Sequence, residues 1–336
     1  MKSCIIFILL LSISSFSYTQ ESNETANYPG KWIFTNDNLS NEWYAERFYT
    51  MNAIELQKYH STTEKLVNYF QKQPIAQKPL GVTLNVKARA AYHNYDHDLY
   101  PVKSTERVKA EVFIPFCSLY YVNNKIEFNC DEVSYIDIIC NDEFQVYEPA
   151  MNYDILDDKN ALNQFKEIFF LPAKLLDLGN GVYLYNWYYK NRVVVARNDR
   201  PFWIPVTNKE YIERMMSYYT ASLKEGKIIQ FVMDELKKEI AGIPEEMMNL
   251  PAFLNQNSER PLTSICNSNE NSASALYKFN PFYFDKTLPR TYVQLITISI
   301  EGNADNPDWG GINAKRVWEY IQGLKGDELS KLLDVK

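Results

Sequence analysis

No stretch of this sequence is apolar over the about 20 residues that a membrane-spanning helix requires. The longest apolar run, Ile5 to Leu11, is too short, and a later one, Ile168 to Leu171, ends at Pro172. Lysine and arginine never form a cluster of more than two residues. This scarcity argues against nucleic acid or anionic lipid as a partner. We therefore expect no membrane span in the mature chain and no nucleic-acid partner.

The common catalytic signatures are also missing. The sequence contains no nucleophile elbow, HExxH helix, Walker loop or dinucleotide-binding fingerprint. Gly179-Asn180-Gly181 predicts a turn, and no phosphate-cradling helix follows it. No Cys-x-x-Cys or Cys/His spacing indicates zinc. We expect no cofactor, and the sequence leaves open whether the protein is an enzyme.

The N-terminus has the three-part layout of a secretory signal peptide. Lys2 is the positive region, Ile5 to Leu11 is the apolar core, and a polar stretch begins at Ser17. Signal peptidase requires small residues at positions −3 and −1. Ser17 and Thr19 suit cleavage after Thr19, although Ser15 and Ser17 also meet this requirement. No cysteine directly follows the apolar core, which argues against a lipid anchor. We expect residues 1–19 to be removed and the protein to be periplasmic or extracellular.

Aromatic residues are abundant, with 25 Tyr, 18 Phe and 6 Trp. Tyrosine packs in half-buried sheets with its hydroxyl in water, so this excess favours antiparallel strands over a sugar-stacking surface. Cleavage after Thr19 leaves 317 of the 336 residues. It also changes the formal net charge from −7 to −8, because Lys2 is lost. That length suits one large domain or two ordinary ones.

Four cysteines remain after the signal: Cys117, Cys130, Cys140 and Cys266. An even number in an exported chain indicates two disulfides, with three possible pairings. Val112 to Val122 and Lys125 to Asn129 read as strands joined by the two-residue turn Asn123-Asn124. This register places Cys117 opposite Cys130 in the closer kind of antiparallel pair, with Cα atoms about 4.5 Å apart. We therefore predict Cys117–Cys130 and, by remainder, Cys140–Cys266.

The first half of the mature chain reads as one helix followed by four strands. Residues 20–45 are polar and predict an extended arm. Asn52 with Glu55 forms a capping box for a helix that ends before Pro74. Alternation from Val82 predicts a strand, and Pro115 indicates that the next strand is bulged or lies at an edge near its start. Residues 46–150 are thus expected to form a helix packed on antiparallel strands.

Residues 151–336 contain a hairpin, helices and a C-terminal strand, and we expect them to pack with the preceding part as one unit. The predicted hairpin runs from Val182 to Tyr189 and from Arg192 to Arg197. Thr207 and Glu210 form a second capping box. Tyr292 to Ile300 predicts a strand, and Asn313 to Leu333 predicts two short helices. Without a βαβ rhythm, the class is α+β, an antiparallel sheet built from hairpins with packed helices.

Two segments resemble recurring stretches in a family of uncharacterised exported bacterial proteins. One runs from Val193-Val194-Val195 through Ile204-Pro205-Val206-Thr207 to Glu210-Tyr211. The other is Asn280-Pro281-Phe282-Tyr283-Phe284-Asp285-Lys286-Thr287-Leu288-Pro289-Arg290, followed by Gln294-Leu295. The likeness extends over about residues 50–300. It implies export and a single folded unit, and it transfers no catalytic residues.

Two polar loops are candidate cation sites. The first contains His93, Asp96, His97 and Asp98, which are possible zinc ligands. The flanks of this loop read as strand, so the two histidines do not share a helical face, and we favour a solvated loop. The second contains Asn303, Asp305, Asn306 and Asp308, whose spacing misses the EF-hand pattern. We interpret it as an exposed turn.

Tyr183, Tyr185, Trp187 and Tyr189 form an aromatic stripe along one predicted strand. We favour sheet packing, with Val193 and Val195 covering the rings across the hairpin, over a ligand platform. For function we favour a non-catalytic binding protein that uses an aromatic sheet face to bind a peptide, a glycan or an envelope protein. The alternative is a secreted hydrolase that uses carboxylates or a metal at residues 93–98. A deep polar pocket would favour the hydrolase, and a shallow aromatic face would favour the binding protein.

Overall fold

The computed structural model describes residues 25–36, 51–90, 107–131, 133–142, 158–165, 167–186, 191–255, 265–266, 268–270, 272–300 and 311–334. The predicted signal peptide and most of the predicted N-terminal arm lie outside these ranges. In the described part of the chain, no helix is long and apolar enough to cross a membrane. The fold is α+β, as the sequence predicts, with a mixed but mostly antiparallel sheet.

The larger sheet of the described chain has nine strands in the order β1-β2-β3-β5-β13-β9-β8-β7, with β4 paired to β3. Its strands are β1 (Trp32–Asn36), β2 (Val82–Ala90), β3 (Ala110–Val122), β4 (Lys125–Asn129), β5 (Tyr135–Cys140), β7 (Ala173–Gly179), β8 (Val182–Asn186), β9 (Asn191–Ala196) and β13 (Leu295–Ile300). Both halves of the sequence contribute strands, because β13 pairs with β5 on one side and with β9 on the other. All pairs are antiparallel except β1–β2. The strand β1 comes from the predicted arm and pairs in parallel, which the sequence analysis did not predict.

One face of this sheet is covered by helices α1 (Ala53–Gln71), α2 (Pro74–Gln77), α6 (Gly311–Gln322) and α7 (Gly326–Ser330). Asn52 and Glu55 form the predicted capping box, each side chain accepting from the other residue's backbone N–H. Val82, Leu84, Val86 and Ala88, at every second position of β2, point into this core and are fully buried. Burial of apolar surface on this face stabilises the helix–sheet contact, at about 25 cal/mol per Å².

A smaller second sheet packs on part of the other face. It contains β6 (Ile168–Phe170), β10 (Trp203–Pro205), β11 (Phe253–Asn255) and β12 (Ala273–Phe279). Its outer side is covered by helices α3 (Lys159–Phe165), α4 (Asn208–Lys224) and α5 (Gln230–Ala241). Thr207 caps α4 by accepting from the Glu210 N–H, while the Glu210 carboxylate instead accepts from Arg214 and Lys278.

Two local predictions need correction. Pro115 does not mark a sheet edge, because β3 lies between β2 and β5. The pairs of β3 with β2 stop at Phe116 and resume at Phe113. Proline lacks the N–H that a ladder requires, so the ladder is interrupted there. The β8–β9 hairpin is present, but its register differs from the prediction. The predicted strands are joined by a two-residue turn between Tyr189 and Arg192, and the observed pairing of Tyr183 with Val194 does not fit that turn. Four residues, 187–190, separate the two strands.

Candidate binding site along the first strand

The predicted aromatic stripe is largely part of the packing between the two sheets. Tyr185 is buried in a cluster with Phe202 and Tyr283, and its ring centroid lies 5.3 Å from that of Trp203. Burial raises the pKa of Tyr185 to about 12. Tyr183 is partly exposed, and the Lys174 Nζ lies 3.7 Å from its ring centroid. These contacts favour the packing interpretation for the two described residues; Trp187 and Tyr189 lie outside the described residues.

The cross-strand neighbours of the stripe also differ from the prediction. Val194 lies opposite Tyr183 and joins the same inter-sheet cluster. Val193 and Val195 point to the other face of the sheet, into the helix-covered core. Successive strand residues alternate between faces, so these two valines cannot cover the stripe.

The structure joins Cys117 to Cys130, as the hairpin register predicts, with Cα atoms 4.3 Å apart. Asn123 and Asn124 form the turn with φ of 52° and 61°. Positive φ at both positions is the signature of a type I′ hairpin turn. Because Ser118 pairs with Asn129, the next pair outward is the two cysteines.

The predicted second disulfide is wrong, because Cys140 and Cys266 are free thiols. Cys140 is fully buried on β5 in the helix-covered core, and burial raises its pKa to about 12. The Cys266 N–H donates to the Phe253 carbonyl, at the edge strand of the second sheet. The prediction paired these two cysteines by elimination, but Cys140 lies in the larger sheet and Cys266 lies beside the edge of the second sheet.

The candidate cation sites His93, Asp96, His97 and Asp98, and Asn303, Asp305, Asn306 and Asp308, lie outside the described residues. Within the residues that the structure does describe, no group of three or more His, Cys, Asp or Glu side chains has metal-binding geometry. The hydrolase hypothesis therefore gains no observation from this structure.

The segment that carries the family resemblance is held by a buried hydrogen-bond network. The Tyr283 hydroxyl accepts from the Arg197 N–H at 2.9 Å and donates to the Gln294 carbonyl at 2.6 Å. The Arg197 guanidinium donates to Asp199 at 2.5 Å and to the Gln294 side chain at 2.9 Å. Because these donors and acceptors satisfy one another, the network fixes the conformation of the segment between Tyr283 and Gln294. Phe282, which precedes this segment, is 77% exposed.

The strand β1 forms the outer edge of the larger sheet, and within the described chain it pairs only with β2. The Lys31 carbonyl accepts from the Leu84 N–H at 2.8 Å, and the Lys31 N–H donates to the Thr83 hydroxyl. In a strand, the backbone groups of alternate residues point to the same side. Consequently the backbone N–H and C=O groups of Lys31, Ile33 and Thr35 point towards β2. The N–H and C=O groups of Trp32, Phe34 and Asn36 point away from the sheet.

A depression lies on each face of this edge strand. On the helix side, Trp32 and Phe34 line a groove of about 310 Å³ against Glu64, Val67, Asn68 and Gln71 of α1. We call this depression the helix groove. Phe34 remains 39% exposed there.

The other depression, which we call the hairpin cleft, has a volume of about 620 Å³. It is lined by Tyr28, Pro29, Gly30, Lys31, Ile33, Thr83, Leu119, Ile126, Glu127 and Phe128. Ile126 is 37% and Phe128 41% exposed, both on the β4 arm of the disulfide-linked hairpin. Partly exposed apolar side chains that line a concave surface are a mark of binding sites.

Close backbone contacts position the two walls of the hairpin cleft. An added Cβ at Gly30 would lie 1.7 Å from the Val82 carbonyl oxygen, so only glycine fits where the chain enters β1. Across the cleft, the Tyr28 and Tyr121 rings meet edge to face at 6.1 Å. The strand edge and the hairpin are therefore held at a fixed separation.

The charges beside β1 lack ion-pair partners in the described chain. Lys31 and Lys87 lie on the hairpin-cleft face, because Lys31 precedes Ile33 by two residues and Lys87 pairs with Thr35. Glu64 lies on the helix-groove face. The ion pairs found among the described residues include none of these three side chains. Glu127 is the one carboxylate in the cleft lining and lies on the hairpin wall, so a ligand strand beside β1 would meet Lys31 on the cleft face and Glu64 on the groove face.

Compared with models of protein families, with curated proteins and with solved structures, the chain shows no significant match. The resemblance of residues 193–211 and 280–295 to exported proteins thus stays a prediction. Neither β1 nor the two depressions were predicted from the sequence. The alternation of Trp32, Ile33 and Phe34 was a weak strand signal within a segment that otherwise reads as polar.

Proposed function

We propose that this protein is an exported, non-catalytic binding protein that captures a linear peptide segment in the hairpin cleft. The proposal is supported by the open, largely apolar concavity beside β1, whose outer edge pairs with no other described strand. A glycan site needs several converging polar side chains around its aromatic platform. Most side chains that line this cleft are apolar, which favours peptide side chains over sugar. The binding surface thus differs from the stripe at Tyr183, where packing occupies Tyr185.

Export is supported by the disulfide between Cys117 and Cys130, since structural disulfides persist in oxidising compartments. The N-terminal signal pattern supports it independently. Expression of the full chain in a host with a secretory pathway, followed by intact-mass measurement, tests this part. We expect a mature protein that begins near Gln20 without added lipid. Retention of residues 1–17, or an added diacylglycerol mass, would contradict it.

Selection of phage-displayed linear peptides on the immobilised mature protein tests the binding function. We expect selected peptides to bind in solution and to lose about tenfold to hundredfold in affinity in an Ile126→Ser/Phe128→Ser variant. Full burial of two apolar side chains is worth about 3–6 kcal/mol, and because both are already more than half buried, a ligand would supply at most about half of that. About 1.5–3 kcal/mol in total, at 1.4 kcal/mol per tenfold, gives this range. Phe282→Ser is the matched control, because it removes an exposed aromatic far along the chain.

Two results would overturn the proposal. The first is recovery of no peptide above the blank matrix. The second is a set of peptides whose affinity is the same for wild type and the Ile126→Ser/Phe128→Ser variant, with melting temperatures showing both proteins folded. An equal loss of peptide affinity in the Phe282→Ser control and in the Ile126→Ser/Phe128→Ser variant would also show that the binding site is not the hairpin cleft.

A further inference from the structure

We propose that the bound peptide is an extended strand that adds to the outer edge of β1, with its side chains alternating between the helix groove and the hairpin cleft. This inference rests on the proposed peptide-binding function and specifies the conformation and chemistry of the ligand. Addition of a strand to a sheet edge is a general mode of peptide recognition, in which main-chain hydrogen bonds supply affinity and side-chain pockets supply specificity.

The backbone of β1 selects an extended ligand. Trp32, Phe34 and Asn36 present their N–H and C=O groups away from β2, and among the residues that the structure describes no strand pairs with these groups. A helix satisfies its own backbone groups and could not use these donors and acceptors. An added strand would lie about 4.8 Å beyond β1, where the two depressions flank it.

Alternation assigns the side chains of the ligand to the two depressions. Residues beside Trp32 and Phe34 face the helix groove, and residues beside Lys31 and Ile33 face the hairpin cleft. By alternation, a residue beside Thr35 points to the same side as the cleft. Five ligand residues span this length, so three point to the cleft side and two to the groove. The central cleft position lies beside Ile33 and is expected to be apolar.

Charge complementarity fixes the remaining positions. Thr35 lies four residues or about 13 Å along β1 from Lys31 and is paired with Lys87 of β2. Lys31 therefore lines the cleft, and Lys87 lies on the same sheet face beyond it. They would attract acidic side chains at the first and fifth ligand positions. Glu64 beside the helix groove disfavours acid there, so the second and fourth positions are apolar. The ligand class is therefore an extended acidic–apolar–apolar–apolar–acidic segment.

The probe is a fluorescein-labelled nonapeptide with the core Asp-Phe-Val-Phe-Asp, and its binding to the mature protein is measured by anisotropy. A second probe replaces both aspartates by lysine. We expect the acidic probe to bind more tightly than the basic probe by about tenfold or more, and a Lys31→Glu/Lys87→Glu variant to reverse that order. An unchanged preference in the variant would refute the charge assignment.

Backbone pairing is tested by N-methylation of each core residue in turn. A strand uses its N–H groups on alternate residues, so affinity should fall at every second position and stay nearly unchanged at the others. Phe34→Pro removes an outward N–H from an edge strand without touching the β2 ladder, and Phe34→Ala is the matched control. We expect Phe34→Pro to bind about tenfold or more weakly than Phe34→Ala. If the proline variant does not fold, the methylation scan alone decides.

A uniform or absent effect of N-methylation would overturn strand addition. If phage-selected peptides still depended on Ile126 and Phe128, that result would leave the proposed binding function intact. If neither the selected peptides nor the acidic probe bound, the proposed function itself would fail. Failure of strand addition and failure of the proposed peptide binding can therefore be told apart with the same set of protein variants.

Discussion

Removal of the Cys117–Cys130 disulfide should destabilise the protein measurably, whereas removal of Cys266 should not. The perturbation is a Cys117→Ala/Cys130→Ala double variant, compared with Cys266→Ala. Cys117 is fully buried and lies directly opposite Cys130 at the base of the hairpin that forms one wall of the cleft. Cys266 is a partly exposed free thiol.

The size of the effect follows from the loop that the disulfide closes. The cysteines are 13 positions apart. The chain-entropy model gives about 3 kcal/mol for a loop near that length, through restriction of the unfolded chain. In large domains the melting temperature shifts by roughly 2–4 °C per kcal/mol of lost stability. The lower value predicts a fall of about 6 °C for this variant. Cys266→Ala should change the free energy of unfolding by less than about 0.5 kcal/mol.

Urea unfolding, with the midpoint and slope fitted separately, measures both variants against wild type. Peptide mapping without reductant, after alkylation in denaturant, should show one linked peptide pair and two alkylated cysteines. A Cys140–Cys266 peptide, or a Cys266→Ala variant as unstable as the double variant, would refute the assignment of free thiols. A double variant within 0.5 kcal/mol of wild type, a change no larger than a typical surface substitution, would refute the entropic reasoning.

Three further predictions concern packing and charge. Gly30→Ala should destabilise by about 1–3 kcal/mol and weaken peptide binding, measured together on one preparation, because its Cβ would press on the β2 backbone. Lys109→Met should cost about 3–5 kcal/mol in urea unfolding, since it breaks a buried 2.7 Å ion pair with Asp142; an effect below about 1 kcal/mol would contradict this. The pKa of Glu55 is lowered by hydrogen bonds from Arg290 and then from the Asn52 backbone. The stability that this carboxylate contributes is therefore fully present above its unfolded pKa of about 4.3 and is lost as the pH falls through its lower folded-state pKa. In melting scans, the melting temperature of Glu55→Gln should therefore fall less on acidification than that of the wild type.

Local chemistry made several elements predictable from sequence. The Asn123-Asn124 turn fixes the hairpin register because asparagine tolerates positive φ, and that register alone places Cys117 opposite Cys130. Asn52 with Glu55 predicts the start of α1 because the two groups satisfy orphan N–H donors within one turn. Each of these features depends on residues fewer than 15 positions apart.

The binding site could not be predicted in this way. Its walls come from β1, β2 and the β3–β4 hairpin, and its partner groove comes from α1, so no local pattern links them. The same limit explains the error at Cys140 and Cys266. Pairing by elimination assumed that every cysteine forms a disulfide, but the fold buries Cys140 under the helices of the larger sheet and places Cys266 beside the second sheet.

The sequence by itself determined the α+β class, the alternation of β2, the helix caps and the register of the disulfide hairpin, because hydrophobic period and turn chemistry act over a few residues. The tertiary structure decided which aromatic side chains are buried and where the sheet ends. Tyr185 is covered because the second sheet packs on it, and β1 is an edge because within the described chain only β2 pairs with it. Whether a side chain or a backbone N–H is covered depends on segments far away in the chain, and their approach is set by the packing of whole layers.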